Sequence, residues 1–443
     1  MIPIRCMIMY LPLLISLLSC YSDAQQPLSK IPAGPIQPPP ANPAQPPQPS
    51  PAPLEPSSPL PLSPAPAIPT GSQTTSMTTK IILGQVKMNA ALLTCAAIIE
   101  PMSCQNPLFF GTGPLAYNEL VLMKGNDAKP PTTPPPGGKP AVPPSAQQVN
   151  DFRYGWITEQ TIIDIKARGF NSIKIKFGFW LVGEYKEFSS PRDFIEQIMR
   201  WTDKHDIGVY LTYAAVFGCQ NFQPVANCPN NLIEWGVEPN RQKNIDTIVK
   251  VWELFKSHPS LMAINPLYEP SLLGANNIML TSYYTDIMTI LQKSNFDRLF
   301  VISPLGEKRF DDIEIKTWCE SAKKMPNILI SMSSYLYWEA AFDSEKKLED
   351  EINRRGDFLS KNKDCNIIVD EWSVALKVQM TQGKLGELAE KQQQAYDKAS
   401  KGTVYGPFNT TTVPNVPDIF SYTSVVDNGI IKGTPVLSPF VAK

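Results

Sequence analysis

Two acidic residues, far apart in the chain, sit in stretches of the same kind. Glu269 ends "LMAINPLYE", an apolar run closed by Tyr268 and locked against Pro270. Glu371 ends "NIIVDE", and Trp372 and Ser373 follow it. A carboxylate at a strand tip can hold, give or accept a proton, or attack carbon. Two of them ~5–5.5 Å apart form the pair that retaining glycoside hydrolysis needs, one protonating the leaving oxygen while the other attacks the anomeric carbon. Alone, each acid reads equally well as a solvated loop carboxylate. Their placement relative to each other decides what they can do, and that depends on the elements around them.

Strand-like runs rich in β-branched and aromatic residues recur along the chain. They are "KIILGQVKM" from Lys80, "SIKIKF" from Ser172, "IGVYLTY" from Ile207 and "LMAINPL" from Leu261. "LFVIS" from Leu299, "NILISMS" from Asn327, "NIIVD" from Asn366 and "TVYGPF" from Thr403 complete eight. Helical periods lie between them. In "RQKNIDTIVKVWELFKSH", Ile245, Ile248, Val249, Trp252 and Phe255 fall on one face, as a helix lying on a sheet requires. "TEQTIIDIKARG" opens on a Thr cap and stops at Gly169, and "KLEDEINRRGDFLSKN" and "KLGELAEKQQQAYDKAS" are similar. Alternation of strand and helix predicts a parallel sheet, and eight units predict an α/β fold of the (β/α)8 TIM-barrel type. A doubly wound open sheet is the alternative, but no GxGxxG follows the first strand. In such a barrel, chemistry sits at the carboxyl ends of the strands. Glu269 follows the fourth strand and Glu371 the seventh, so both face one mouth.

The rest of the 443 residues sets the context. Residues 1–24 read as a secretory signal: Arg5, then the apolar "MIMYLPLLISLL", then small residues Ser22 and Ala24 ahead of a cleavage point at Gln25. An uncleaved anchor or a lipid on Cys20 are the rival readings. Residues 25–75 are dominated by Pro, Ala, Ser and Gln, a composition that favours extended polyproline II and predicts a disordered spacer. Residues 76–443 are assigned to the barrel, with a second Pro-rich stretch at 129–146 read as a loop insertion. Formal net charge is −1 with no basic stripe, which argues against nucleic acid or an anionic membrane as partner. Six cysteines remain outside the leader, an even number that favours disulfides in an exported chain. Short-range pairing gives Cys95–Cys104 and Cys219–Cys228 and leaves Cys319–Cys365, although the sequence alone permits every connectivity. With two histidines and no CxxC pair, neither zinc nor any other metal or cofactor is expected. Asn409 in "NTT" is the one glycosylation sequon. Oligomeric state is not legible.

From Lys80 to about Lys432 the chain resembles the exo-β-1,3-glucanase branch of glycoside hydrolase family 5. "WITEQTIIDIKARGFNSIKIKFGFW" is similar to the family's Phe-Ile-Thr-Glu segment, Gly-x-Asn and strand-two tryptophan, here Trp180. "VFGCQN", with Asn221, resembles the Gly-Ser-Gln-Asn loop after strand three. "HPSLMAINPLYEP" resembles the Asn-Glu-Pro segment and "IIVDEWSVAL" the Gly-Glu-Trp-Ser segment; "AEKQQQAYDKAS" with "VVDNGII" is similar to the family's ending. The resemblance implies a secreted protein acting on β-glucan or a related wall polysaccharide, with Glu269 as acid/base and Glu371 as nucleophile. It implies substrate contacts for Trp180, Asn221, Tyr268, Tyr335, Tyr337 and Trp372, with Trp338 adding aromatic surface near the mouth. Departures are specific. Lys174 stands for the strand-two arginine, Ala214 for a strand-three histidine, Tyr268 for the asparagine before the acid/base and Tyr335 for a strand-six histidine. The strand-eight tryptophan is absent from "VYGPFN", and His205 and His258 fall at the opposite end of the barrel. Both carboxylates survive while the groups that tune them change, so a barrel that binds carbohydrate without turning it over is the rival expectation.

Overall fold

A computed structural model describes residues 75–100, 103–104, 118–124, 143–228, 232–323, 327–339, 341–410 and 418–431. The expected leader and spacer, and all but the end of the 129–146 insertion, lie outside these residues. Every described residue belongs to one unit, Ser72–Lys443.

Eight parallel strands close into a barrel in sequence order. They are β1 (Met88–Leu92), β2 (Ser172–Gly178), β3 (Gly208–Ala215), β4 (Leu261–Asn265), β5 (Leu299–Ile302), β6 (Ile328–Ser334), β7 (Ile367–Trp372) and β8 (Gly402–Tyr405). Every strand residue is buried, and most of these segments read as apolar runs, while β2 and β6 alternate apolar with polar residues. Helices α1 (Met77–Ile82), α2 (Glu119–Lys124), α3 (Ala146–Trp156), α4 (Glu159–Ala167), α5 (Arg192–His205) and α6 (Asn240–Phe255) belong to the first half. The second half supplies α7 (Asn277–Lys293), α8 (Asp312–Ala322), α9 (Glu345–Lys361), α10 (Gln382–Tyr396) and α11 (Tyr422–Asp427). Ile173, Ile175 and Phe177 of β2 turn outward into the core shared with the helices. Met88, Leu92, Tyr210, Val301, Ile368 and Val404 fill the barrel itself.

The first expected strand is displaced. "KIILGQVKM" does not run as one strand. Its Ile81–Ile82 pair belongs to α1, whose N-cap Ser76 accepts from the Thr79 N–H, and Gly84 at φ 68° turns the chain into β1. Ile81 packs with the residues that fill the barrel, so the β-branched pair that looked like a strand is a helical plug. Helix α6 forms where its period predicts, but Val251 rather than Val249 completes the buried face. Thr158 caps α4, and Gly169 at φ 83° follows its end, as the stop chemistry requires.

The register of β7 carries the feature that matters most for the mouth. Asp370 pairs with Val404 of β8, and the next pair is Trp372 with Tyr405. On the other edge Val369 pairs with Met332 and Trp372 with Ser334. Glu371 is therefore an extra residue on both edges, a β-bulge at φ 80°.

Three disulfides form, Cys95–Cys104, Cys219–Cys228 and Cys319–Cys365, with Cα separations of 6.5, 5.3 and 5.4 Å. These are the pairings favoured by the sequence, and they fit an oxidising compartment. No helix among the described residues is long and apolar enough to cross a membrane.

The loop after β1 is fixed by a buried ion pair. Arg153 of α3 lies 3.1 Å from Glu119 of α2, both side chains fully buried, and also donates to Ala97 O. The Ile99 N–H donates to the second oxygen of Glu119. Burial pushes the Glu119 carboxyl from its ordinary 4.5 up to about 7, although Arg153 and the Ile99 N–H pull it down. A carboxyl raised on folding binds its proton more tightly in the native state. That contribution to stability is full below about pH 4.5 and is lost as pH rises through about 7. Thermal melts between pH 5 and pH 8 should therefore show a fall in stability that Glu119→Gln flattens; identical slopes in the two proteins would reject the assignment.

Candidate active site

Glu371 is wholly buried, and both its oxygens are met. Lys174 Nζ lies 2.7 Å from Oε1, an ion contact outside hydrogen-bond geometry, and Lys176 Nζ lies 2.9 Å from Oε2. The hydroxyls of Tyr268 and Tyr335 donate to Oε2 at 3.0 and 3.2 Å. Burial would raise this carboxyl, but Lys174 and Lys176 outweigh it and hold Glu371 well below the usual range, at about 2. Burial likewise opposes charge on Lys176, yet Glu371 and Glu100 raise it above an ordinary lysine. Burial, then the neighbouring carboxylates, pushes both Tyr268 and Tyr335 well above the ordinary tyrosine value. They keep their protons and act as donors.

Lys174 also bonds Asp370 Oδ1 at 2.7 Å, and Asp370 accepts from Tyr210 at 2.9 Å and Ser331 at 2.8 Å. Both lysine ammonium groups lie against the Tyr268 ring, 4.9 and 4.8 Å from its centroid. Lys174 and Lys176 share a face because β2 side chains alternate.

Glu269 stands in the loop after β4, 8% exposed and at φ 43°. Arg309, from the loop after β5, donates to Oε1 at 2.9 Å, and Gln223 donates to Oε2. Asn221 fixes the backbone here, donating to the carbonyls of Tyr268 and Glu269 at 3.2 and 2.9 Å. The Cys219–Cys228 bond staples the loop that carries Asn221 and Gln223. Glu100, half-buried, feels Lys176 and Glu371; burial raises its carboxyl and Lys176 pulls it back.

The sequence-derived residues thus divide. Tyr268 and Tyr335 bond Glu371, the charge of Glu269 is felt by Lys176 and both tyrosines, Asn221 fixes the backbone at Glu269, and Tyr337 is half-buried beside Trp338 and Phe420. Trp180 and Trp372 are corrections, since both are core residues. Trp180 is fully buried, stacked 3.9 Å from Phe188, and so close over Gly178 that a Cβ there would lie 2.2 Å from its ring. Trp372 is 2% exposed and packs edge-on to Tyr396 and Tyr405. His205 bonds Glu159, and His258 bonds Asp203 and Glu196, away from this cluster. Lys176, Gln223, Arg309 and Glu100 were missed. Of these, only Lys176 left a signal, two places after Lys174 on one strand face. Among the described residues, no group of three or more His, Cys, Asp or Glu is placed to hold a metal ion.

Removing one partner of a buried ion pair leaves an uncompensated charge. Lys174→Met should destabilise the barrel by about 3 kcal/mol or more, read as a lower urea midpoint, because Asp370 and Glu371 then face each other with one cation fewer. An unchanged midpoint would mean the lysine carries no such load.

No family model matches the chain, and no curated protein matches it. Among solved structures it is similar to rutinosidase from Aspergillus niger, with TM-score 0.65 and 14% identity over 78% of this chain and 98% of that one. It is also similar to AoRut, with TM-score 0.62 and 14% identity over 78% and 96% of the two chains. At that identity the likeness is one of fold: the chain shares the closed (β/α)8 barrel of that rutinosidase over nearly the whole length of the neighbour.

Proposed function

We propose that this chain is a secreted, retaining glycoside hydrolase acting on β-glucan, with Glu371 as nucleophile and Glu269 as acid/base. The observation that supports the reading is that Tyr268 links two barrel-end acids. Its hydroxyl bonds Glu371, and its neighbour in the chain is Glu269. Glu371, kept ionised by two lysines, has the charge state a nucleophile needs. In the first step its oxygen bonds the anomeric carbon as the glycosidic C–O bond breaks, and Glu269 gives its proton to the leaving oxygen. In the second, Glu269 takes a proton from water, the water oxygen attacks the same carbon, and the bond to Glu371 breaks with net retention. Lys174 does the work expected of the replaced arginine, and Tyr335 supplies one donor in place of the histidine. Export is supported by the leader-like N-terminus and the three disulfides. The likeness to the exo-β-1,3-glucanase branch supports β-glucan as the polymer.

A second reading has its own observation. Glu371 is fully buried with both oxygens engaged, and Glu269 accepts from Arg309 and Gln223. A barrel locked this way would bind glycan in a cell wall without cleaving it. Incubation with β-1,3-, β-1,4- and β-1,6-glucans, scored for released sugar and for retention by the polymer, separates the two. The hydrolase should release sugar from one of them, and Glu371→Gln should abolish release while keeping retention. Equal retention by wild type and variant with no sugar released would establish the binding protein instead.

A further inference from the structure

Four side chains meet the carboxylate of Glu371, and they are not equivalent. Lys174 is shared with Asp370 at 2.7 Å and ties two successive residues of β7 to β2. Tyr268 and Tyr335 donate to Oε2 but carry no charge. Lys176 is a cation placed on Glu371 alone. Its Nζ lies 2.9 Å from Oε2, and among the described residues this is its one ion pair. Its side chain is 8% exposed where those of Lys174 and Glu371 are at 0%. The ring of Tyr268 lies against the same ammonium group, 4.8 Å away at its centroid. Burial opposes the charge on Lys176, but Glu371, Glu100 and Glu269 together raise it above an ordinary lysine. Two of those three acids remain ionisable when Glu371 is engaged, so Lys176 is a fixed charge rather than a proton carrier.

A carboxylate nucleophile changes charge twice in one turnover. In the first half-reaction Glu371 gives an electron pair to the anomeric carbon, and the glycosidic oxygen leaves with the pair of the broken bond and the proton of Glu269. The anion is then a neutral ester. In the second, water bonds the same carbon, Glu269 takes the proton of that water, and the pair of the ester C–O bond returns to Glu371. A cation held against the free carboxylate stabilises the two ends of this cycle more than its middle, and in a buried site little solvent screens it. The same attraction shows in the free carboxyl, which the lysines hold at about 2. We propose that Lys176 sets the balance between the half-reactions: it holds back attack by Glu371 and speeds departure of the sugar from it, so that forming the ester limits turnover and the ester does not accumulate. This rests on the hydrolase reading above and specifies how its nucleophile is governed.

The test uses the full chain with soluble β-1,3-, β-1,4- and β-1,6-linked gluco-oligosaccharides. Turnover of whichever is cleaved is stopped with acid, and intact mass gives the fraction of protein carrying a covalent sugar. Wild type at saturating oligosaccharide should carry almost none. Lys176→Met should carry it on most molecules, and its KM should fall about tenfold or more, the worth of one charged contact, because release now limits turnover. Lys176→Arg keeps the charge and should restore both wild-type values, which a merely structural role would not require. Should Lys176→Met fail to fold, Lys176→Gln takes its place, polar but uncharged. A wild type that accumulates the adduct overturns the inference and leaves the hydrolase reading standing. So does a neutral variant with wild-type KM and no adduct. If wild type cleaves none of the three, the hydrolase reading fails and this inference with it.

Discussion

Lys174 reaches two successive acids of one strand, and neither flat geometry nor charge would ordinarily allow that. Neighbouring residues in a strand point to opposite faces, so Asp370 inside the barrel should send Glu371 out among the helices. The bulge at Glu371 removes the alternation for one residue, and Lys174 then lies 2.7 Å from each carboxylate. Without a cation between them the two acids would repel in a site closed to water. With it, the interior can carry a polar layer above the apolar filling of Met88, Val301 and Ile368. Tyr210 and Ser331 complete Asp370, while Lys176, Tyr268 and Tyr335 complete Glu371. Strands β2, β3, β6 and β7 all contribute, so a slip of register at any of them would leave a buried charge unmet.

The second acid is held by different means. Glu269 is positioned by loops, and its left-handed backbone costs a non-glycine residue roughly 1–3 kcal/mol. Asn221 offsets that strain by bonding the carbonyls on either side of the Glu269 Cα, and its own oxygen accepts from the Gln223 N–H. The Cys219–Cys228 bond keeps that loop short and closed. The nucleophile candidate depends on sheet register and the acid candidate on a stapled loop, so each can change without the other.

This division also explains what the sequence made legible. Strands buried on both faces announce themselves as apolar runs, so seven of the eight were read nearly in place, and the acids at the fourth and seventh could be placed at one end. The first strand was misplaced because Ile81–Ile82 is β-branched, while true β1, "MNAAL", owes its burial to barrel closure rather than to residue type. Arg309, Gln223 and Glu100 reach the site through loop conformation, which has no period to read. Trp180 was expected at the mouth through its likeness to the family's strand-two tryptophan, and Trp372 through its place beside Glu371. Their chain positions are indeed near it, but the bend after β2 and the bulge in β7 turn both rings into the core.

The electrostatics of the mouth also constrain what can enter it. Lys174 and Lys176 are committed to Asp370 and Glu371, and Arg309 is committed to Glu269. A ligand bearing a carboxylate or sulfate would have to take one of these cations from a buried or nearly buried acid, leaving that acid uncompensated beside others of the same sign. A neutral, hydroxylated ring faces no such barrier, because it has only to exchange hydrogen bonds with Tyr335, Tyr268 and the acids. Neutral sugars differ little in charge but much in the faces they show. Discrimination among them must therefore come from shape and apolar contact at the edge of the mouth rather than from the ion pairs at its floor.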